Sequence, residues 1–314
     1  WVVWDTGIGG ESVSPDRWTN GFGPYRDYLG SYHSLPSRDM VAYFGLPPVL
    51  DDWKHPEELT KYSWPKFPYA GQILNPSIVD QHFEQDYEAE PYVIFRGHNW
   101  AQFCESGGRD RGRVPFIKHI LDIVKSRKLK EIVLVSGDYS CNVDVLPIHH
   151  QGGGSMPRDG YIKEMAKASA TLSLPGGADV CIRDLESAGV GRAVIRPPYL
   201  ADIWGADDPE NPFLFSTQCM ELPTTREEAN KNKWGFIWYY KDDDLVRQSC
   251  EEMVDLALKM IEDKDGQRAM RSKARSWYEK YTDSSNISDY IFNHTVKAFN
   301  HEFAKWARIN NAEL

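Results

Sequence analysis

The sequence predicts an α/β fold of two Rossmann-like lobes facing a central cleft. Three observations carry that expectation. Residues Ala170 to Pro198 string a short apolar strand, a Pro-Gly-Gly turn, a helix and a second apolar strand into one βαβ unit, whose strands must be parallel. Trp1-Val-Val-Trp4 opens the chain with another apolar strand that runs into a glycine-rich turn, Asp5-Thr6-Gly7-Ile8-Gly9-Gly10. Finally, 314 residues with 41% apolar and 26% charged side chains are enough to bury a core in each of two lobes. The expected boundaries are a small loop-rich lobe over 1–90, a larger lobe over 91–285 and a terminal helix over 286–314.

In the first lobe, the strand at Trp1–Trp4 sets Asp5 at its carboxyl end, where ligands of open parallel sheets gather. Asp5 reads either as a general base there or as a residue capping its own turn. Residues 11–38 are rich in Gly, Pro, Ser and Tyr and read as a long loop. Arg38–Phe44 offers a second strand, and Asp51 and Asp52 then precede an aromatic, proline-rich stretch that ends near Pro76.

The second lobe opens with a strand at Tyr92–Phe95 that delivers Arg96, Gly97, His98 and Asn99. Arg109, Arg111 and Arg113 lead into an amphipathic helix over Val114–Ser126, with Ile117, Ile120, Leu121 and Val124 on one stripe. They read as phosphate-screening charges or as a solvated basic turn. Lys130–Ser136 is the next strand and ends at Gly137 and Asp138. The loop beyond holds His149 and His150, which alternate in direction on extended chain and so make a poor metal pair, and a triglycine at 152–154. Arg158-Asp159-Gly160-Tyr161 enters a helix over Tyr161–Ala168, with Asp159 as the expected N-cap.

The βαβ unit follows, with strands expected at Ala170–Leu174 and Ala193–Ile195. Pro175, Gly176 and Gly177 end the first strand, and Asp179 is the expected cap of the helix. Free N–H groups in such a turn favour an anion. On the helix, Arg183 and Glu186 are three apart: a guanidinium suits a diphosphate and a carboxylate suits a ribose diol, whereas the plain alternative is a surface i,i+3 ion pair. Asp242, Asp243 and Asp244 head a helix over Leu245–Ile261, with helical pattern closing at Ala274-Arg275-Ser276-Trp277-Tyr278. Acidic residues at a helix start answer the dipole, so the run needs no metal to explain it. Asn286–Asn310 forms the last helix, with Ile287, Ile291, Val296, Phe299, Phe303 and Trp306 available for packing.

A net charge of −10 disfavours nucleic acid and acidic membrane surfaces as partners. No apolar run is long enough to cross a bilayer, and the first residue is Trp1 rather than Met, which leaves room for a removed leader or anchor upstream. Five widely spaced cysteines without a Cys-x-x-Cys pair read as reduced thiols of a cytosol-facing protein. Asn286-Ile-Ser and Asn293-His-Thr match glycosylation acceptors but fall in the last helix. Aromatics at 13% suit a carbohydrate ligand, because sugar rings stack on aromatic faces, although most such rings belong in a core.

The second half resembles a known group. The Pro-Gly turn, Cys181-Ile-Arg183-Asp-Leu-Glu186, Gly189-Val-Gly191 and the Ala-Val-Ile strand are similar to the donor-domain signature of two-domain (GT-B) sugar-nucleotide glycosyltransferases. Within that group the small-x-Arg-x-x-Glu pattern is most similar to exostosin-like transferases. The resemblance implies a nucleotide-sugar donor on the second lobe, with Arg96, Gly97, Arg113, Gly137, Asp138, His150, Arg158, Tyr161, Pro175, Gly176, Gly177, Arg183 and Glu186 around it. It implies a glycan or glycoprotein acceptor entering from the first lobe and no cofactor beyond the donor; with the residue readings above, the expected base is Asp5, with Asp51 or Asp52 in reserve, and no obligatory metal is expected. It also implies a terminal helix crossing back to the first lobe. Retaining members often carry a second glutamate upstream of the first, at the position of Ala178 here, so its absence points to an inverting reaction. A sugar-nucleotide epimerase of the same fold and a noncatalytic carbohydrate-binding protein are the competing readings.

Overall fold

Five strands form one parallel sheet in the computed structural model of the chain. The structure describes residues 2–4, 42–44, 76–98, 114–137, 156–174, 181–198, 203–217, 219–221, 239–240 and 243–311. The sheet strands are β3 (Glu90–His98), β4 (Ile132–Gly137), β5 (Ala168–Leu172), β6 (Ala193–Arg196) and β7 (Phe213–Phe215), in the order β4-β3-β5-β6-β7. Two short strands near the start, β1 (Val2–Trp4) and β2 (Ala42–Phe44), pair in parallel with each other, and β8 (Met220–Glu221) and β9 (Tyr239–Tyr240) pair antiparallel.

The order of the strands follows from the crossovers. The chain leaves β3 through α2 (Val114–Arg127) to β4 on one side, then returns through α3 (Arg158–Lys167) to β5 on the other side of β3. Right-handed crossovers in opposite directions put their helices on opposite faces. Accordingly α2 packs with α5 (Asp243–Glu262) over one face of the sheet. On the other, α3 packs with α1 (Pro76–Glu84), α4 (Ile182–Gly189) and α6 (Lys264–Thr282). The first core holds Phe95, Phe116, Ile120, Ile195 and Met253, and the second Val79, Ile162, Leu185, Val194 and Trp277. The reversal of direction falls between β3 and β5. In doubly wound sheets that is where the crevice opens at the carboxyl ends of the strands.

Local chemistry explains the strands at this switch point. Pro91 cannot donate to the ladder, and the β3–β5 register shifts between Glu90 and Val93, a bulge that accommodates it. All five residues of β5 are buried, and its polar ones are satisfied: Ser169 donates to the Glu90 carbonyl at 2.8 Å and Thr171 shares a 2.6 Å hydrogen bond with Ser187. Glycines let α4 lie close to its neighbours. A Cβ on Gly189 would stand 2.9 Å from the Tyr278 ring and collide with Val79, and Gly191 turns the chain into β6 at φ +77°.

Several expected boundaries move. The strand expected at Ala170–Leu174 is Ala168–Leu172, because α3 ends at Lys167 and passes directly into it. Helix α3 starts three residues before the expected Tyr161: Pro157 is its N-cap, and Asp159 sits in the first turn. Helix α4 is capped at Cys181 rather than Asp179, since the Asp184 carboxylate reaches back to accept from the Cys181 N–H at 3.2 Å. The helical pattern after Asp242 divides at Asp263, whose side chain caps α6 by accepting from the Gly266 N–H at 2.7 Å. The stripe expected on α2 is buried as read, at Ile117, Ile120, Leu121 and Val124.

The last helix, α7 (Ser284–Asn311), begins where Asp283 accepts from the Ser285 and Asn286 N–H groups, and it lies against α6 and approaches β2. Of the residues expected to pack from it, Ile287 is buried, whereas Val296 and Phe299 face solvent. Cys181, Cys219 and Cys250 form no disulfide, and burial pushes Cys219 up to about 11 and Cys250 further. Among the described residues no helix is long and apolar enough to cross a membrane.

Candidate functional site

At the carboxyl edge where β3 and β5 diverge, five charged side chains and a tyrosine meet. Arg96 stands near the end of β3, and its guanidinium is held by Glu164 of α3 through two bonds, Nε to Oε2 at 2.6 Å and Nη2 to Oε1 at 2.9 Å. Gly97 follows it opposite Ser136, and Gly137 ends β4 opposite His98, so both glycines lie on adjoining strand ends.

Helix α4 supplies the most unusual feature. Arg183, Asp184 and Glu186 fall on eight residues of helix, and each is buried. Burying a charge costs several kcal/mol even when it is paired. Asp184 is fully enclosed against Arg196 at the end of β6, which is itself 1% exposed and also donates to the Pro197 carbonyl at 3.0 Å. That pair ties the start of the helix to the sheet. Glu186, 1% exposed, is paired with Arg158 from the first turn of α3. Burial works to lower the pKa of Arg158, and the Tyr161 ring lies 5.6 Å from its guanidinium.

Arg183 differs from its neighbours. Its guanidinium lies 4.7 Å from the Phe95 ring, its Nε donates to the Tyr161 hydroxyl at 3.2 Å, and its Nη2 donates to the Arg96 carbonyl. These are neutral partners. The Nη1 group is enclosed without a hydrogen-bond acceptor, although the residue is only 9% exposed. Burial opposes the charge, while Tyr161 and Cys181 beside it favour it, and the balance lies above the ordinary arginine value. The Ser173 hydroxyl, just past β5, is also enclosed without a hydrogen-bond partner, as is Arg158 Nε. A buried cationic donor without an acceptor, held against the end of β3, is suited to an anion with several acceptor oxygens.

The structure therefore brings together Arg96, Gly97, Gly137, Arg158, Tyr161, Arg183 and Glu186. It also decides between the two readings of the α4 pair: Arg183 and Glu186 are not a solvated i,i+3 bridge, because each is buried and takes its partners from other elements. Asp5, Asp51, Asp52, Arg113, Asp138, His150, Pro175, Gly176 and Gly177 lie outside the described residues. Glu164, Ser173, Phe95 and the Asp184–Arg196 pair were not singled out from sequence. Glu164 was accessible to that reading, since Arg158, Tyr161 and Glu164 recur at i, i+3 and i+6. Asp243 and Asp244 stand in the first turn of α5, where Asp243 is paired with His119 at 2.8 Å. Among the described residues no group of three or more His, Cys, Asp or Glu is placed to hold a metal ion.

No family model matches the chain, and no curated protein matches it. Among solved structures, the crystal structure of WaaG, a glycosyltransferase involved in lipopolysaccharide biosynthesis, is similar over 86% of this chain and 68% of that one, at 13% identity and a TM-score of 0.39.

Proposed function

We propose that the chain is a glycosyltransferase that holds a nucleotide-sugar donor at the β3/β5 crevice and moves the sugar to a hydroxyl of a glycan or glycoprotein acceptor. The observation that carries the reading is Arg183, a nine-tenths buried cation at the switch point whose remaining donor has no acceptor. A diphosphate supplies the missing acceptors and countercharge. Glu186, on the next turn of the same helix, suits the ribose diol, with Arg158 balancing its charge. A dinucleotide is less well served, because β3 ends in Arg96-Gly97-His98 instead of the Gly-x-Gly-x-x-Gly turn that a dinucleotide site requires there.

In this reading the sugar is transferred as the departing nucleotide is stabilised on Arg183 and on the backbone N–H groups of Gly176 and Gly177, beside Pro175, without a metal. Arg96 contributes through its carbonyl, which orients Arg183, since its own charge is answered by Glu164. The acceptor enters from a first lobe over residues 1–90 and loses its proton to Asp5, with Asp51 or Asp52 in reserve, in an inverting displacement. A donor lobe over 91–285 and a terminal helix that reaches back complete the two-lobed GT-B arrangement, of the exostosin-like kind that the α4 motif resembles. A cytosol-facing protein is part of the same reading, which rests on five widely spaced cysteines without a Cys-x-x-Cys pair.

The test is ligand-induced stabilisation. Nucleotide sugars carrying each of the common bases are screened against the wild-type chain and Arg183→Met. One or more should raise the wild-type melting temperature by several degrees, and Arg183→Met should lose that response while keeping its own fold. A chain that answers to glycans and to no nucleotide at millimolar concentration is a carbohydrate-binding protein instead. Conversion of donor without any acceptor identifies an epimerase.

A further inference from the structure

One face of α3 touches three of the charged site groups in turn. Arg158, Tyr161 and Glu164 lie one helical turn apart, so they share a side of the helix. Arg158 pairs with Glu186, the Tyr161 hydroxyl accepts from Arg183 Nε at 3.2 Å, and Glu164 takes Arg96 in two bonds. None of the three targets belongs to α3. They sit on β3 and α4, two elements that the chain sequence places far apart. Asp159, beside Arg158, accepts from buried His82 of α1 at 2.9 Å, so the start of α3 is itself fixed to the layer behind it.

Each contact leaves its target with one defined freedom. Arg183 spends Nε on Tyr161 and Nη2 on the Arg96 carbonyl with its plane against Phe95, which leaves Nη1 pointed by elimination of the alternatives. Glu186 needs a countercharge to persist as a buried carboxylate, and Arg158 provides it from a position 31% exposed. Glu164 neutralises Arg96, so a second arginine close to Arg183 adds little positive field.

We propose that α3 is the alignment element of the donor site, with Tyr161 a positioning residue for the diphosphate group Arg183, Arg158 a positioning residue for the ribose group Glu186, and Glu164 the residue that withholds the charge of Arg96. This rests on the nucleotide-sugar reading above. It predicts that the three α3 side chains act on different parts of one ligand, with different signs.

The experiment titrates the full chain calorimetrically with two probes: inorganic pyrophosphate, and the nucleoside diphosphate that binds the wild type best among those of uridine, guanosine, cytidine and adenosine. Tyr161→Phe should weaken both probes alike, by about 5- to 10-fold, as expected for one ordinary hydrogen bond lost from the group that positions Arg183. Arg158→Gln should weaken the nucleoside diphosphate by about 10-fold while pyrophosphate stays within about twofold, and Arg158→Lys should recover most of the loss. Glu164→Gln should tighten pyrophosphate by about 3- to 5-fold, an effect of opposite sign that loosened packing does not produce. Equal losses of both probes in Arg158→Gln and Tyr161→Phe, no change in either, or weakening by Glu164→Gln overturns the inference while leaving the donor reading intact. A wild type that binds neither probe overturns the donor reading, and the inference with it.

Discussion

Helices α4 and α7 distribute their residues in opposite ways. Over eight residues, α4 buries Arg183, Asp184 and Glu186; over twenty-eight, α7 leaves Phe292 67%, Phe299 58% and Val296 38% exposed. Apolar atoms make up more than half of an ordinary protein surface, so single exposed rings need no special explanation. Buried charge does. On α4, Asp184 is met by Arg196 and Glu186 by Arg158, whereas Arg183 Nη1 is enclosed without a hydrogen-bond acceptor. The comparison teaches that in this molecule enclosed charge, rather than exposed apolar surface, is the feature that calls for an explanation.

The largest test of that contrast is the Asp184–Arg196 pair. Removing one member leaves the other charged and buried, so Asp184→Ala or Arg196→Met should each destabilise the fold by about 3–5 kcal/mol. The double replacement Asp184→Leu with Arg196→Met should recover much of that loss, because a well-packed apolar pair replaces a desolvated ionic one. Urea unfolding measures all three. Single variants within about 1 kcal/mol of wild type would mean that water reaches the pair and that α4 is less enclosed than its geometry states.

A smaller effect contrasts this pair with a charge near the surface. Asp208 meets Lys280 and Tyr281 at the start of the segment leading to β7, at 2.8 and 2.6 Å. Burial pushes its pKa up, but hydrogen bonds from Lys280, Tyr281 and the Glu210 N–H outweigh that and hold it at about 2, below the ordinary 3.8. Folding thus lowers this pKa. The stabilisation is complete above pH 4, and it fades as the folded carboxylate takes up its proton toward pH 2. Lys280 is 59% exposed, so solvent screening reduces the contribution to roughly 1 kcal/mol. Asp208→Asn should be less stable than wild type by that amount at pH 7 and should converge with it near pH 2.

How much of this was legible in the sequence depends on the range of the interaction concerned. Period-2 and period-3.6 patterns are local, so β3, β4, β6, α2 and α7 were readable to within a few residues. The glycines at 189 and 191 were readable as a motif, but their reason, close approach to Val79, Tyr278 and Arg271, is tertiary. The cap of α4 was misplaced because Asp179 satisfies the local rule and Asp184 wins by reaching backward from N3. At the site, residue types at Arg183 and Glu186 suggested chemistry, yet nothing local distinguishes a buried arginine from a solvated one. Their separation into Arg183–Tyr161 and Glu186–Arg158 comes from contacts more than twenty residues apart in sequence, which only the folded β3/β5 edge creates.

The smallest expected effect closes the comparison from the other side. If α7 is an ordinary surface helix along its Phe292 and Val296 edge, replacing Phe292 with Ser removes little that folding buried, and stability should stay within about 0.5 kcal/mol of wild type. The same change reduces exposed apolar area next to Val296 and Phe299, so solubility should rise slightly. A loss above about 1.5 kcal/mol, measured by thermal and urea unfolding together, would place Phe292 in a packed interface. The contrast with α4 would then need restating, because both helices would owe their unusual composition to enclosure and exposed rings could no longer serve as the neutral reference.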